Sequence, residues 1–291
     1  MSKIESDRLV AVVVWYNPNA HHAKLLQQFL INGLQIIIID NSETDNSALL
    51  PSTTHTPIHY LPNHENKGIA NALTTACRHA RAMGAAWVLT MDQDSEFASG
   101  DIERYVQLAN EYDDETVAIF APMHNTHGKV PRVQSRYTSC NKVMTSGNLV
   151  SMEIFEKTGN HFCDDFFIDS VDDEYCYRVQ RYGYRIVQIN DIVLRHALGD
   201  IVEARCCGIK KKIHIHAPIR YYYIVRNLLK LADLYPEHKR ETVKILRKIL
   251  RKTLKRTLFY NYPQKWVRWH YIRQGWCDYK QGISGKYRQK R

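Results

Sequence analysis

The sequence predicts an α/β fold: a doubly wound, mostly parallel sheet flanked by helices, followed by a basic helical extension. Three observations carry that expectation. Short runs rich in Val and Ile alternate with helical stretches through the first hundred residues, the pattern of βαβ units. Two of those runs end on acidic residues, Asp40 and Asp92, and ligands of open α/β sheets sit at the carboxyl ends of strands. Finally, the charge changes sign along the chain. Residues 205–291 hold 24 Lys and Arg against 4 Asp and Glu, and residues 1–204 hold 16 against 26.

The elements follow in order. Leu9–Trp15 is an uninterrupted apolar run, the signature of a strand buried on both faces. Asn17-Pro18 makes a turn, and a helical stretch covers Ala20–Asn32. Gln35–Ile39 is a second buried strand, and Ile58–Leu61 a short third. Asn66–Met83 has helical periodicity through Ile69, Leu73, Ala76 and Ala80, with Gly84 placed as a C-terminal cap. Ala86–Met91 is a buried strand running into Asp92-Gln93-Asp94. Thr116–Ala121 and Arg185–Ile189 read as strands, Met144–Val150 as a loop or strand, and Asp172–Tyr182 as a helix. Beyond Pro236, Val243, Leu246, Leu250, Leu254 and Leu258 form an apolar stripe at helical spacing, with Lys and Arg on the remaining circumference.

Composition sets bounds. At 291 residues, 44% hydrophobic and 24% charged, the chain is an ordinary globular protein rather than a disordered one. No stretch approaches the roughly 20 apolar residues that span a bilayer. The N-terminus does not read as a signal peptide, and the seven scattered cysteines, none in a CxxC pair, read as reduced cytosolic thiols.

Several groups are able to carry chemistry. Asp92 and Asp94, one residue apart beyond a buried strand, suit a hard divalent cation shared with a diphosphate; a solvated turn is the plainer reading. Asp40-Asn41 suits a nucleobase or ribose, or else a turn. Asn66-Lys67-Gly68 opens a helix whose N-terminus favours an anion, or is a simple cap. Asp172-Asp173-Glu174 complements a helix dipole, yet three acids exceed what capping needs, and one of them is a candidate general base. His196 follows a strand, as a structural histidine or a metal ligand. In Arg220–Asn227, Arg220 and Arg226 flank an aromatic block, suited to phosphate or to an interface between body and tail.

Taken as an ordered set, these segments resemble the GT-A glycosyltransferases of family 2, and among them the bacterial rhamnosyltransferases. The matching pieces run from about Val10 to Asn227. They are Val-Val-Trp-Tyr-Asn-Pro, Ile-Ile-Asp-Asn-Ser, Asn-Lys-Gly-Ile-Ala-Asn-Ala, Met-Asp-Gln-Asp-Ser, Thr-Ser-Gly-Asn, Phe-Phe-Ile-Asp-Ser-Val-Asp-Asp-Glu-Tyr-Cys-Tyr-Arg, His-Ala-Leu-Gly and Arg-Tyr-Tyr-Tyr-Ile-Val-Arg-Asn. The resemblance implies a GT-A, Rossmann-like catalytic domain over residues 1–230, with a nucleotide-binding half to about 98 and an acceptor half beyond, and a basic amphipathic tail over 231–291. It implies that Tyr16, Asn17, Asp40, Asn41, Asn66, Lys67, Gly68, Asp92, Gln93 and Arg226 meet the nucleotide or its diphosphate. Asp94 and His196 would ligate Mg²⁺ or Mn²⁺. Thr145, Ser146, Gly147, Asn148 and Asp173 would line the cleft for donor sugar and acceptor, and Asp172 would be the base. Many members carry Glu-Asp where this chain has Val171-Asp172; the offsets to Cys176 and Arg178 favour Asp172 over Asp173 and Asp169.

The implied reaction is inverting transfer of L-rhamnose from dTDP-β-L-rhamnose to a polyprenyl-linked precursor of an O-antigen or capsule type polysaccharide. A UDP-hexose donor is the alternative, and a non-catalytic nucleotide or nucleic-acid binding protein a more distant one. The basic tail with its aromatics predicts a cytoplasmic enzyme held peripherally on the anionic inner face of the membrane. Packing on the body or in a homodimer are the competing fates of that helix, and nucleic acid is the least favoured partner.

Overall fold

The computed structural model describes residues 3–52, 56–125, 133–196, 200–206 and 209–289. The chain divides into two compact units: residues 1–163 with 172–197, and residues 164–171 with 198–291.

The first unit opens with β1 (Leu9–Trp15), two short helices α1 (Ala20–Leu25) and α2 (Gln27–Leu30), β2 (Gln35–Asp40), β3 (Ile58–Pro62) and α3 (Ile69–Ala82). It continues with β4 (Trp87–Asp92), β5 (Ser95–Glu96), α4 (Asp101–Glu111), β6 (Val117–Asn125), β7 (Tyr137–Ser139) and β8 (Asn148–Ser151). Then come α5 (Met152–Lys157), α6 (Val171–Arg181) and β9 (Arg185–His196). The strands form a sheet of order β3-β2-β1-β4-β8-β6-β9-β5, with β7 paired to β9. The pairs among β3, β2, β1 and β4 are parallel, as is β6 with β9, whereas β8, β5 and β7 run antiparallel to their neighbours.

All seven residues of β1 are buried, as expected of a strand covered on both faces. Leu9, Ala11, Val13, Trp15, Ile36, Ile38, Trp87, Leu89 and Met91 share one core with Leu26 and Phe29, and with Ile102, Tyr105 and Leu108 of α4. Strand alternation turns Val10, Val12, Ile37 and Ile39 to the other face, where α3 packs on β1 and β2 through Ala72, Leu73, Ala76 and Ala80.

A helix and a strand depart most from the sequence reading. The helix expected over Ala20–Asn32 breaks at Leu26, where Leu26 and Phe29 donate to carbonyls three residues back, the tighter geometry that ends α-helices. The strand expected to stop at Ile189 runs on to His196, because a register shift at Pro122/Met123 re-pairs its second half with β6 and then β5.

The second unit holds a hairpin, β10 (Asp200–Cys206) and β11 (Ile209–Ile215), and the helices α7 (Arg220–Leu234), α8 (Lys239–Phe259) and α9 (Lys265–Lys280). Tyr221, Val225 and Leu228 of α7, Leu246 of α8 and Ile272 of α9 make its core. A Cβ on Gly275 would stand 2.4 Å from the Tyr222 carbonyl oxygen, so α9 meets α7 backbone to backbone. The apolar stripe foreseen along α8 is divided: Leu246 is buried against α7, while Leu254 and Leu258 are 48% and 65% exposed.

Candidate active site

The parallel register levels three strand ends, Trp15 opposite Asp40 and Val14 opposite Asp92. The loops that leave them meet at one edge of the sheet. Asp40 is fully buried, and its carboxylate is saturated from within. Oδ1 accepts the Ser42 N–H at 2.9 Å and the Ser42 hydroxyl; Oδ2 accepts Asn46 Nδ2 at 2.8 Å and the Tyr60 hydroxyl at 2.7 Å. A carboxylate has about four acceptor positions, and all are used. Asp40 therefore shapes the loop after β2, a correction to the direct nucleobase or ribose contact expected of it. Burial, with help from the Asp40 carboxylate, pushes the Tyr60 hydroxyl well above its ordinary pKa, so it stays a donor.

Asn41 is likewise a brace. Its Nδ2 donates to the Gly68 carbonyl at 3.0 Å, its Oδ1 accepts Asn63 Nδ2 at 2.7 Å, and its N–H donates to the Trp15 carbonyl. Asn66 Oδ1 accepts the Gly68 N–H at 2.9 Å in a local turn, and Gly68 precedes the first residue of α3. Lys67 stands 4.0 Å from Glu65, with two-fifths of its side chain exposed. Of this group Lys67 is exposed, whereas Gly68 and Ala70 are buried.

Gln93 pairs with the backbone of Tyr16, its Oε1 accepting the Tyr16 N–H at 2.7 Å and its Nε2 donating to the Tyr16 carbonyl at 3.2 Å. The Tyr16 ring is left 50% exposed. Asn17 adopts φ 47° and donates its N–H to Ser42 Oγ at 2.7 Å. Gln93 thus holds the loop that presents Tyr16.

Asp92 ends β4, Gln93 and Asp94 form the turn, and β5 begins at Ser95. Ser95 lies opposite His196 in the β5–β9 ladder, which brings the His196 backbone beside the residue following Asp94. The side chain of His196 lies outside the described residues. Among the described residues there is no group of three or more metal-binding side chains.

Gln28, His124 and His22, which sequence reasoning passed over, fix this turn together with Ser146. Gln28 Nε2 donates to the Ser95 carbonyl at 3.2 Å and its Oε1 accepts the Phe97 N–H at 2.9 Å. Ser146 Oγ accepts the Asp92 N–H at 3.0 Å and donates to Ser95 Oγ at 2.8 Å. His124 Nε2 lies 2.7 Å from the Ser146 carbonyl. His22 Nδ1 accepts the Asn19 N–H at 3.1 Å, which leaves the proton of the neutral ring on Nε2. Burial lowers the His22 pKa while the nearby charge of Asp94 pulls it back up. Apart from His22, which binds Asn19 three residues away, these depend on partners 22 to 69 residues away and so carry no local sequence signature.

The segment Thr145–Asn148 is stitched to the end of β4. Thr90 Oγ1 donates to the Thr145 carbonyl and the Gly147 N–H to the Thr90 carbonyl, both at 2.6 Å. Ser146 is buried and engaged, so it supports the cleft rather than lining it. Thr145 and Asn148 do face a narrow cavity shared with Val143, Tyr175 and Asp172. Asn148 Oδ1 is buried there and has no hydrogen-bond partner among the described residues.

The acids of α6 separate into distinct roles. Glu174 is buried and bound to Arg178 through two hydrogen bonds of 3.1 and 3.0 Å. Arg178 also donates to the carbonyls of Thr158 and His161. Asp173 stands 3.5 Å from Lys142. Asp172 accepts the Asp173 N–H at 2.9 Å and lines the cavity with Thr145 and Asn148.

Arg226 corrects a further expectation. Its guanidinium is 1% exposed, and all five N–H groups are taken by protein oxygens. Nε donates to Asn227 Oδ1, Nη1 to the Tyr222 hydroxyl and the Gly285 carbonyl, and Nη2 to the carbonyls of Asp165 and Phe166. None is left for a diphosphate. Arg220 forms a two-pronged ion pair with Asp169 at 2.7 and 2.6 Å, which gives Asp169 a structural place too.

A sheet edge of this kind, with acids at the carboxyl ends of its strands, is where open α/β sheets bind their ligands. The sequence profile of Glycosyl transferase family 2 matches residues 21–170, and the chain belongs to that family of glycosyltransferases. Family membership sets aside a non-catalytic binding protein. The chain is 29% identical over 247 residues to the dTDP-rhamnosyl transferase RfbF of Shigella flexneri, covering 76% of this chain and 79% of that one. Among solved structures, S. aureus TarS 1-349 in complex with UDP-GlcNAc is similar with a TM-score of 0.56 at 13% identity, over 95% of this chain and 81% of that one. GalNAc-T7 with UDP, GalNAc and Mn²⁺ is similar with a TM-score of 0.53 at 11% identity, over 69% of this chain but only 44% of that one. These structural likenesses speak for the GT-A fold.

Proposed function

We propose that the protein transfers L-rhamnose from dTDP-β-L-rhamnose, with inversion, to a polyprenyl-linked surface-glycan precursor. The observation that carries the site assignment is the levelled edge formed by the ends of β1, β2 and β4, where the Asp92–Asp94 turn lies beside the backbone of His196. The likeness to RfbF supports the rhamnosyl donor. Tyr16, Asn17, Lys67 and the N-terminus of α3 receive the nucleotide and its phosphates, Asp40, Asn41, Asn66, Gly68, Asp92 and Gln93 holding those loops in place.

Asp94 and His196, with Asp92 near by, fit a divalent cation: carboxylate oxygen and imidazole nitrogen suit both Mg²⁺ and Mn²⁺. When bound, the cation neutralises charge on the departing diphosphate. Asp172 takes the proton of an acceptor hydroxyl held in the cleft by Thr145 and Asn148. That oxygen attacks the anomeric carbon from the face opposite the nucleotide, and the product is an α-L-rhamnoside. Asp172 lines the same cavity as Thr145 and Asn148, which supports it as the base. We assign donor binding to residues 1–98, acceptor binding to 99–230 and membrane attachment to 231–291.

Calorimetry tests the donor. We expect Mg²⁺- or Mn²⁺-dependent binding of dTDP-rhamnose, with Asp94→Ala losing that dependence and about tenfold or more in affinity, tenfold being about 1.4 kcal/mol. A preference for UDP-glucose or UDP-galactose would move the substrate within the family, and equal binding with EDTA present would remove the cation from the assignment.

For attachment, the supporting observation is an exposed apolar corner within a basic surface. Among the described residues no helix is long and apolar enough to cross a membrane. Leu254, Leu258 and Phe259 at the end of α8, and Trp266 and Val267 at the start of α9, are 43–67% exposed. Trp269 Nε1 and Lys265 Nζ bind Thr257, which gathers the two helix ends together. Exposed Arg247, Lys248, Arg251, Lys252 and Lys255 flank that corner. Each basic residue near an anionic surface contributes about 1 kcal/mol. In vesicle flotation we expect binding to phosphatidylglycerol-containing but not purely phosphatidylcholine vesicles, and its loss in Phe259→Glu/Trp266→Glu. Light scattering that shows a dimer dissociated by the same double variant, with no flotation, would make this corner a self-association surface instead.

A further inference from the structure

The segment just before the proposed base has unusual backbone geometry. Phe167, Asp169 and Ser170 adopt φ of 60°, 64° and 63°. That is the left-handed region, which residues with a Cβ enter only at a cost, and a phenylalanine rarely. Such conformations persist where the surroundings over-determine them, and they cluster at functional sites. Here the surroundings are one face of α7, which lies in the same compact unit as residues 164–171.

That face grips the loop at nearly every residue. Arg226 donates to the carbonyls of Asp165 and Phe166. Asn227 Nδ2 lies 2.8 Å from the carbonyls of Phe166, Ile168 and Asp169. Arg220 holds the Asp169 carboxylate in two hydrogen bonds. The Tyr223 ring stacks on Phe167 at 5.2 Å, and Lys230 pairs with Asp165. Residues 220, 223, 226, 227 and 230 recur every three or four positions, the spacing of a single helical face. Arg226 and Asn227 are 1% and 0% exposed, so their hydrogen bonds with backbone carbonyls are made away from water. The loop ends at Val171, the first residue of α6, and Asp172 is the next residue.

We propose that this face of α7 is a clamp that sets the backbone leading into α6, and through it the direction of the Asp172 carboxylate. Arg220, Arg226 and Asn227 are then positioning residues for proton removal from the acceptor, with Asp169 the handle by which Arg220 holds the loop. The proposal rests on Asp172 being the base. It also accounts for the burial of the Arg-Asn pair without assigning either residue to the substrate.

The Asp169–Arg220 pair is the accessible place to test it, because the Arg220 side chain is 34% exposed and its loss leaves the Arg226–Asn227 contacts in place. Asp169→Asn suits the same backbone, since Asn tolerates positive φ. Steady-state kinetics, thermal midpoint and donor calorimetry are measured on Arg220→Gln, Asp169→Asn, the double variant, Arg220→Lys and, separately, Asp172→Asn. For Arg220→Gln we expect turnover to fall about 10- to 100-fold, the order of loss that follows a misplacement near 1 Å. The KM for the donor should stay within about twofold, and Lys at 220 should restore part of the turnover. The double variant should be no slower than either single one, because both remove the same bridge. Wild-type turnover in Arg220→Gln and Asp169→Asn, with Asp172→Asn inactive, would overturn the clamp and leave the base intact. A parallel fall in donor affinity and thermal midpoint, unrepaired by Lys, would also overturn it, as a purely structural role. Wild-type turnover in Asp172→Asn would remove the base and the clamp's function together.

Discussion

Asp172→Asn is expected to lower turnover about 10²- to 10⁴-fold, the usual worth of a positioned general base. Donor affinity should be unchanged. Asparagine has the same shape and its Oδ1 still accepts the Asp173 N–H, the 2.9 Å bond that starts α6. What it lacks is the basicity to accept a hydroxyl proton. Asp173→Asn makes the informative contrast: Asp173 faces Lys142 at 3.5 Å, and the loss there should be far smaller. Single-turnover rates with saturating donor separate this effect from binding. A variant at position 172 that turns over as the wild type does would transfer the role to another group.

Gly147→Ala should cost about 2–4 kcal/mol of stability, by overpacking together with left-handed backbone strain. Gly147 has φ 84°, and an added Cβ would lie 2.7 Å from Pro122 Cγ and 2.9 Å from Leu194 Cδ2. Its N–H is held to the Thr90 carbonyl at 2.6 Å, which blocks escape by rotation of the loop. Thr145 and Asn148 are fixed by the same stitching, so the residual folded enzyme should also turn over more slowly. Urea unfolding reads the first effect as a lower midpoint at constant slope. A midpoint within error of wild type would mean that the β6 and β9 side chains yield easily around this loop.

The positions of the acids at the strand ends were legible in the sequence, although the contacts those residues make were not. The strand-end position of Asp40 and of Asp92-Gln93-Asp94 follows from apolar runs that stop on acids. Yet Asp40 was expected to touch a nucleotide, and it instead binds Ser42, Asn46 and Tyr60. Arg226 was expected at a diphosphate and binds backbone carbonyls in its own unit. In both cases a buried charge must be satisfied before it is available for anything else, and whether a residue is buried depends on what packs over it. The same reasoning explains the divided stripe on α8. Spacing of four carries the row Leu246, Leu250, Leu254 and Leu258 around α8 by about 120° from end to end, and packing against α7 covers Leu246 while Leu258 is left open.

The sequence by itself determined the alternation of strands and helices, the acids at the strand ends, the acidic opening of α6 and the basic amphipathic character of the C-terminal region. Each is a local property, fixed by hydrophobic period and by residue type at the end of a run. The tertiary structure decided which of these groups are engaged with protein and which face the cleft. It extended β9 to bring His196 level with Ser95, bound Glu174 to Arg178, and clasped the loop before Asp172 with α7. Those outcomes depend on pairs 4 to 101 positions apart, and for the distant ones no local pattern of propensity or spacing encodes the partner: it is set by packing, when two surfaces close and every buried donor and acceptor must find an opposite number.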